Sequence, residues 1–185
     1  MNVHTWERAV VTALRGIDGA AVKYRRKPWT RAVLRALVSA GREQGFWTAA
    51  TGGEAVEADS GEWLWDCSWR EYQDEESLVL RSVPMVAECE WNTDWDNLRK
   101  DFEKLLAANA PLRVFVFSGE RPNKEEIPER SREVVGRLCD RIGAMKFTAP
   151  YEVRYVLAAW EDFERPAFRI FTVSGQGEVL REIAP

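Results

Sequence analysis

One short run constrains the fold more than any other: residues 112–117 are apolar except for Arg113. A strand with apolar side chains on both faces has to be covered on both faces, which is typical of an inner strand of a parallel or mixed sheet. Helical patterns flank this run, at about 93–109 before it and about 129–145 after it. The strand–helix–strand order in the middle of the chain predicts a right-handed crossover and a mixed β-sheet.

The rest of the chain predicts a single α/β domain. A length of 185 residues with 45% hydrophobic residues is enough to bury one ordinary core. We predict further helices at about 5–16 and 30–44, and strands at about 46–50, 62–69, 83–91, 152–160 and 167–173. The predicted fold is therefore a central mixed β-sheet flanked by helices. It divides into an N-terminal helix and basic loop (1–29), a core (30–120) and a C-terminal helix with strands (121–185).

Several classes of protein are disfavoured by single features of the sequence. No apolar run approaches the length of about 18 residues that spans a bilayer, and the first residues lack the basic-then-apolar order of a signal peptide. Cys67, Cys89 and Cys139 lack CxxC spacing, so we expect reduced thiols in a cytoplasmic protein without zinc. His4 is the only histidine, which disfavours Ser-His-Asp and Cys-His mechanisms.

The modest net charge of −4 hides a strong asymmetry along the chain. Residues 1–53 contain nine Lys and Arg but three Asp and Glu, whereas residues 54–103 contain fifteen acids and four bases. Most of these charges are expected to be solvated. A basic segment at about Lys23 to Arg31 facing an acidic pocket is nevertheless compatible with a surface that binds phosphate groups.

Three carboxylates lie inside apolar strand patterns and are the strongest functional signal. Asp66 follows Trp63-Leu64-Trp65, and Glu88 and Glu90 lie in the predicted strand at 83–91. Side chains at i and i+2 of a strand share a face about 6.5 Å apart, so Glu88 and Glu90 project the same way, and Asp66 meets them if the two strands pair. Buried charges are costly unless they are paired or bind a metal. With almost no base beside them, these acids predict a divalent cation.

These residues and the order of elements resemble the restriction-endonuclease-like superfamily, the PD-(D/E)XK nucleases, over roughly residues 30–120. The common core of that superfamily is αβββαβ, and its signature is an Asp on one strand followed by Glu-x-Lys on the next. Asp66 matches the Asp and Glu88 the first Glu, while Glu90 takes the place usually held by Lys. Some restriction enzymes of the superfamily have Glu at that position and are active.

The resemblance implies a metal-dependent nuclease that acts on nucleic acid, with DNA favoured over RNA. Asp66, Glu88 and the backbone carbonyl of Cys89 are then expected to bind Mg²⁺ or Mn²⁺. Glu90 is expected to orient or deprotonate the attacking water, or to bind a second ion. A homodimer would suit double-strand cleavage because of its two-fold symmetry.

Because the strand has Glu90 where the signature has Lys, Lys104 on the following helix is the candidate for a lysine that replaces it. At about 100° per residue, Lys104 lies about 140° from the centre of the apolar stripe of its helix. We therefore expect it to point away from the sheet and to pair with Asp101 at i, i+3 spacing.

Two other classes of function stay open. The chain could be a catalytically inactive relative that retains the nuclease fold as a binding or assembly module, as the absence of the strand Lys favours. It could also be an unrelated α/β protein whose acids pair with Arg81 or Arg113 at strand ends and which binds a partner through an aromatic surface. The tryptophans at 63, 65, 69, 91 and 95 could stack on bases, but alternating strand positions favour core packing.

Overall fold

The computed structural model describes residues 2–17, 26–74, 76, 78–119, 127–146, 149–161 and 168–185. The elements in chain order are α1 (Val3–Arg15), α2 (Arg26–Glu43), β1 (Trp47–Ala50), a 3₁₀ turn (Gly53–Val56), β2 (Cys67–Tyr72), β3 (Leu80–Glu90), α3 (Trp95–Leu106), β4 (Leu112–Ser118), α4 (Ile127–Ala144), β5 (Arg154–Trp160), β6 (Phe168–Ser174) and β7 (Val179–Ile183). None of the described helices is long and apolar enough to cross a membrane.

All seven described strands form one mixed sheet in the order of the chain. Strands β1, β2 and β3 are antiparallel neighbours, and β5, β6 and β7 repeat this pattern at the other edge. Strands β3, β4 and β5 are parallel, and helices α3 and α4 make the two connections between them. The mixed sheet predicted from the sequence is therefore confirmed.

Helices cover both faces of this sheet, which confirms the predicted α/β domain. Side chains of the inner strand β4 point alternately to the two faces of the sheet. Val114 and Val116 pack in the layer of α1 and α2, and Phe115 and Phe117 pack in the layer of α3 and α4. All four side chains are fully buried, as expected for a strand covered on both faces.

The structure differs from the sequence prediction most clearly in α2, β2 and β7. Helix α2 begins at Arg26 instead of residue 30, because Pro28 is tolerated in the first turn of a helix. The strand predicted at 62–69 begins only at Cys67 and extends to Tyr72, since residues 63–66 form bends instead of a strand. Strand β7 was not predicted, because its exposed Val179 and Leu180 lack the alternating pattern of a half-buried strand.

Alanine substitutions at two glycines are expected to change the free energy of unfolding in opposite directions. Gly177 has φ +85°, and a Cβ there would lie 2.3 Å from the Cys139 carbonyl oxygen on α4, whereas a Cβ at Gly136 would meet open space. Gly177→Ala is therefore expected to lower the free energy of unfolding by at least about 2 kcal/mol. Gly136→Ala, in the interior of α4, should raise it by about 0.5–1 kcal/mol. Urea unfolding of both variants checks this, and equal effects would contradict the turn geometry.

Candidate functional site

The pairing of β2 with β3 brings Asp66 and Glu88 together. Cys67 lies opposite Ala87, so Asp66, one residue before β2, lies opposite Glu88. Glu88 and Glu90 share the face of β3 that packs against α3, because Val86 on the same face belongs to that layer. The structure therefore places all three predicted acids at the carboxyl end of β3, beside α3.

Asp66 accepts a backbone hydrogen bond at one carboxylate oxygen and shares a hydroxyl donor at the other. Its Oδ2 accepts from the Cys89 backbone N–H at 2.9 Å, and its Oδ1 lies 3.2 Å from the Thr51 hydroxyl. The same hydroxyl lies 2.8 Å from Glu62 Oε2 and has one proton to donate, so it serves one of the two carboxylates at a time. Burial raises the pKa of Asp66 and outweighs these hydrogen bonds.

Glu88 is the most buried of the three acids, with 3% of its surface exposed. Its Oε2 lies 3.2 Å from Lys104 Nζ, while its Oε1 is buried and has no hydrogen-bond partner among the residues that the structure describes. Burial, reinforced by the neighbouring charge of Asp66, raises the pKa of Glu88 to about 8 although Lys104 acts in the opposite direction. Glu88 therefore needs a stronger positive charge than Lys104 to ionise fully at neutral pH.

Lys104 corrects one prediction and confirms another. It does not point away from the sheet, since its ammonium contacts Glu88, but it also lies 2.8 Å from Asp101 Oδ1, the predicted pair. Burial opposes the charged ammonium, but the contacts with Asp101 and Glu88 outweigh it and raise the pKa of Lys104. The position of Lys104 around its helix predicted the wrong direction for its ammonium group, because a lysine side chain is long enough to reach around the helix.

Asp101 joins Lys104 to Glu90 and was not among the predicted site residues. Glu90 Oε1 accepts from the Asn92 backbone N–H at 2.6 Å. Burial and a hydrogen bond with the Asp101 carboxyl raise the pKa of Glu90. The nearby negative charge of Asp101 therefore disfavours the ionised form of Glu90. We call Asp66, Glu88, Glu90 and Asp101 the acidic cluster.

The acidic cluster does not form a ready-made set of metal ligands. Among the described residues, no three His, Cys, Asp or Glu side chains stand in an arrangement that could hold a metal ion. Asp66 and Glu90 instead use oxygens to accept backbone hydrogen bonds. One observation nevertheless fits a hard cation: Glu88 presents a buried carboxylate oxygen to which no group in the described part of the chain donates a hydrogen bond.

The two arginines considered as alternative partners of the acids lie elsewhere. Arg113 is 2% exposed and binds the carbonyls of Leu106, Ala108 and Ala110 at and beyond the end of α3. Arg81 lies at the start of β3, far from its acidic end. The cation that the structure places beside the cluster is Lys104.

The basic start of α2 lies at the same edge of the sheet as the acidic cluster. The Trp91 indole N–H, one residue beyond β3, donates to the Thr30 hydroxyl at 2.7 Å. Lys27 and Arg31, on either side of Thr30 in the helix, are exposed. The remainder of the predicted basic loop, Lys23 to Arg25, lies outside the described residues. Positive side chains thus lie at the same end of β3 as the acids, but on the opposite face of the sheet, which α2 covers.

The five tryptophans have different environments. Trp69 and Trp91 are buried in the core, as predicted, whereas 48% of the Trp63 surface is exposed and Trp65 is half-buried. Trp95 packs beneath the guanidinium of Arg137, 3.6 Å from its ring centre.

The chain matches no protein-family model and no curated protein. Its function therefore has to be inferred from the acidic cluster and the surfaces around it.

Proposed function

We propose that this protein is a metal-dependent phosphodiesterase that hydrolyses nucleic acid, with DNA as the favoured substrate. Asp66, Glu88 and Glu90 would bind Mg²⁺ or Mn²⁺, and Lys104 would assist from α3. Metal binding and nucleic-acid cleavage together define this proposal.

The single observation that carries the proposal is the unsatisfied oxygen of Glu88. A buried carboxylate without a full set of partners destabilises a fold, and a second acid opposite it, Asp66, increases that penalty. Lys104 compensates only in part, because half of its side chain is exposed. A divalent cation would satisfy Glu88 Oε1 and remove the repulsion between the two acids.

The order of elements supports membership of the restriction-endonuclease-like superfamily. From α2 to β4 the chain runs helix, three strands, helix and strand, with Asp66 adjoining the second strand and Glu88 and Glu90 on the third. Lys104 would supply from α3 the positive charge that Glu90 lacks on the strand. An inactive relative with the same fold is the alternative, and the test below separates the two.

Each side chain of the site has a distinct chemical task. The bound cation would polarise the scissile phosphate and lower the pKa of a water molecule. Asp66 and Glu88 would bind the cation through their carboxylate oxygens, Glu88 after losing its proton, and Glu90 would accept a proton that its contact with Asp101 allows it to retain. Lys104 stabilises negative charge that develops on the phosphate.

The basic start of α2 supports nucleic acid as the substrate. Lys27 and Arg31 are exposed in the same part of α2 as Thr30, which binds Trp91 just beyond the end of β3. A phosphate backbone that crosses this edge of the sheet would contact those cations while one phosphate reaches the acidic cluster. A homodimer remains a prediction.

Metal affinity is expected to depend on pH because a cation has to displace the proton of Glu88. With a pKa of about 8, Glu88 is mostly protonated below that pH, so the apparent affinity for Mn²⁺ should rise about tenfold per pH unit up to about pH 8 and then level off. Calorimetric titration of Mn²⁺ and Mg²⁺ at pH 6, 7, 8 and 9 measures this, with cleavage of linear and supercoiled DNA followed in parallel.

The double variant Asp66→Ala/Glu88→Ala should lose both metal binding and cleavage. Asp96→Asn is a suitable control, since Asp96 is exposed on α3 and pairs with Arg99. Metal binding without cleavage of DNA or RNA would favour the inactive relative. Wild-type protein that binds no metal at millimolar concentration would overturn the proposal.

A further inference from the structure

A cavity of about 770 Å³ lies at the opposite end of β3 from the acidic cluster. It is bounded by the start of α1, the segment before β2, the first residues of β3 and the loop before β4. This volume lies within the range of small-molecule sites, which are mostly apolar with a few polar groups. We call it the aromatic cavity, because Trp6, Trp63, Trp65 and Tyr151 line it.

Two indoles form a corner in the wall of the aromatic cavity. Trp63 and Trp65 have ring centres 6.1 Å apart and planes at 78°. The Arg70 guanidinium lies 4.7 Å from the Trp63 ring centre and covers one face of it. Hydrogen bonds to Ser68 and Tyr72, both 3.3 Å, hold Arg70 in place. Trp63 is thereby positioned with much of its surface open, so a flat ring can stack on it and meet Trp65 edge-on.

The charges around the cavity favour an anionic ligand. Arg81 lines the cavity, is exposed, and forms no ion pair with any residue in the described part of the chain. The acid of the lining, Glu152, is already paired, at 2.7 Å from Arg154 Nε and 3.2 Å from His4 Nε2. Within the described residues no acid neutralises Arg81, and its guanidinium lies next to aromatic rings that accept a planar group.

The cavity and the acidic cluster share one short segment. Trp65 lines the cavity, and the next residue, Asp66, belongs to the acidic cluster. Along β3, the cavity residue Val83 lies about 16 Å from Glu88 at the usual rise of a strand. A single nucleic-acid strand covers such a distance within a few nucleotides.

We propose that the aromatic cavity binds an unstacked base of the nucleic-acid strand, with Trp63 and Trp65 contacting the base and Arg81 contacting an adjoining phosphate. This inference rests on the proposed function for the identity of the ligand. It adds a binding site away from the acids, so the protein engages its substrate at two points. Stacking of this kind tolerates any base, because every base has an aromatic face.

The test is a titration of a short single-stranded oligodeoxynucleotide that contains one 2-aminopurine. The full chain is added to it in a buffer that contains EDTA. Stacking on an indole quenches 2-aminopurine fluorescence, so one titration reports both affinity and contact. We expect Trp63→Ala to weaken binding about tenfold or more and to abolish quenching. Trp63→Phe, which keeps a stacking ring, should restore most of the affinity, and Arg81→Gln should weaken binding and reduce its dependence on salt.

Trp47→Ala is the matched control, because Trp47 is 40% exposed and packs edge-on against Tyr72 outside the aromatic cavity. Its affinity should stay within about twofold of wild type. Equal binding by the two Ala variants, or binding by wild type without quenching, would overturn the inference.

The same titration separates this site from the metal site. The titration is made in EDTA, so it reports binding at the aromatic cavity without any contribution from a bound cation. If the wild-type protein binds no metal but still binds the oligonucleotide, and Trp63→Ala weakens that binding, the proposed hydrolysis is refuted and the binding site in the aromatic cavity is supported. If metal-dependent cleavage occurs and neither Trp63→Ala nor Arg81→Gln changes its rate, only the proposal that the aromatic cavity binds a base is refuted.

Discussion

Replacing Glu88 with Gln is expected to lower metal-dependent cleavage by about 10²–10³-fold. The substitution keeps the shape of the side chain but removes the charge that the cation needs. A cation that polarises a phosphate contributes several kcal/mol of transition-state stabilisation, and each 1.36 kcal/mol corresponds to about tenfold in rate. Single-turnover cleavage of a labelled duplex at saturating Mn²⁺ measures the loss.

The same substitution should stabilise the metal-free protein at alkaline pH. Because burial raises the pKa of Glu88 from 4.5 to about 8, the folded state binds the proton more tightly than the unfolded state. The free energy of unfolding contributed by this group therefore falls as pH rises from about 4.5 to 8. Gln does not titrate, so Glu88→Gln should gain up to a few kcal/mol over wild type at pH 9, and little at pH 4.5.

Urea unfolding in EDTA at pH 4.5 and pH 9 measures this difference, with Asp96→Asn as the control that should show no such gain. Lower activity combined with higher stability identifies a functional acid, since a purely structural acid would lose stability when replaced. Undiminished cleavage by Glu88→Gln would remove Glu88 from the mechanism.

Replacing Arg113 with Met is expected to lower the free energy of unfolding by about 3–5 kcal/mol. Its guanidinium donates to three carbonyls at and beyond the end of α3, those of Leu106, Ala108 and Ala110, and to the Tyr155 hydroxyl at 2.6 Å. Met would leave these buried acceptors without a donor. Thermal unfolding should show a Tm lower by roughly 6–15 °C for a domain of this size.

Arg31→Met is the control for Arg113→Met, because Arg31 is exposed on α2 and should change stability by no more than about 0.5 kcal/mol. Tyr155→Phe removes one of the four acceptors and should cost about 1 kcal/mol. Arg113→Met that unfolds like the Arg31 control would show that the carbonyls find other donors, and would contradict the buried network.

Most of the sheet could be predicted because its signals are local. The apolar run at β4 predicts a strand covered on both faces, and Phe115 and Val116 pack in opposite layers as this requires. The segment before β2 could not be predicted, because alternating Trp63 and Trp65 look like strand positions. Trp63 gains its contact with Arg70 only after the chain bends back over β2.

The candidate site likewise has a part that the sequence predicts and a part that depends on tertiary packing. Glu88 and Glu90 share a face because a strand has a period of two, and Asp66 meets Glu88 once β2 pairs with β3. The contact of Lys104 with Glu88 depends on where α3 lies over the end of β3, which no pattern along the helix contains. Asp101 enters the acidic cluster for the same reason.

The sequence by itself determined the α/β class, the inner strand and the three acids, since each follows from periodicity or charge within a few residues. Only the tertiary structure decided that Arg113 binds the end of α3, that Lys104 faces Glu88, and that Trp63 and Trp65 open onto a cavity. The physical reason is that long side chains and bent segments choose their partners by position in space, which is set when the helices pack on the sheet.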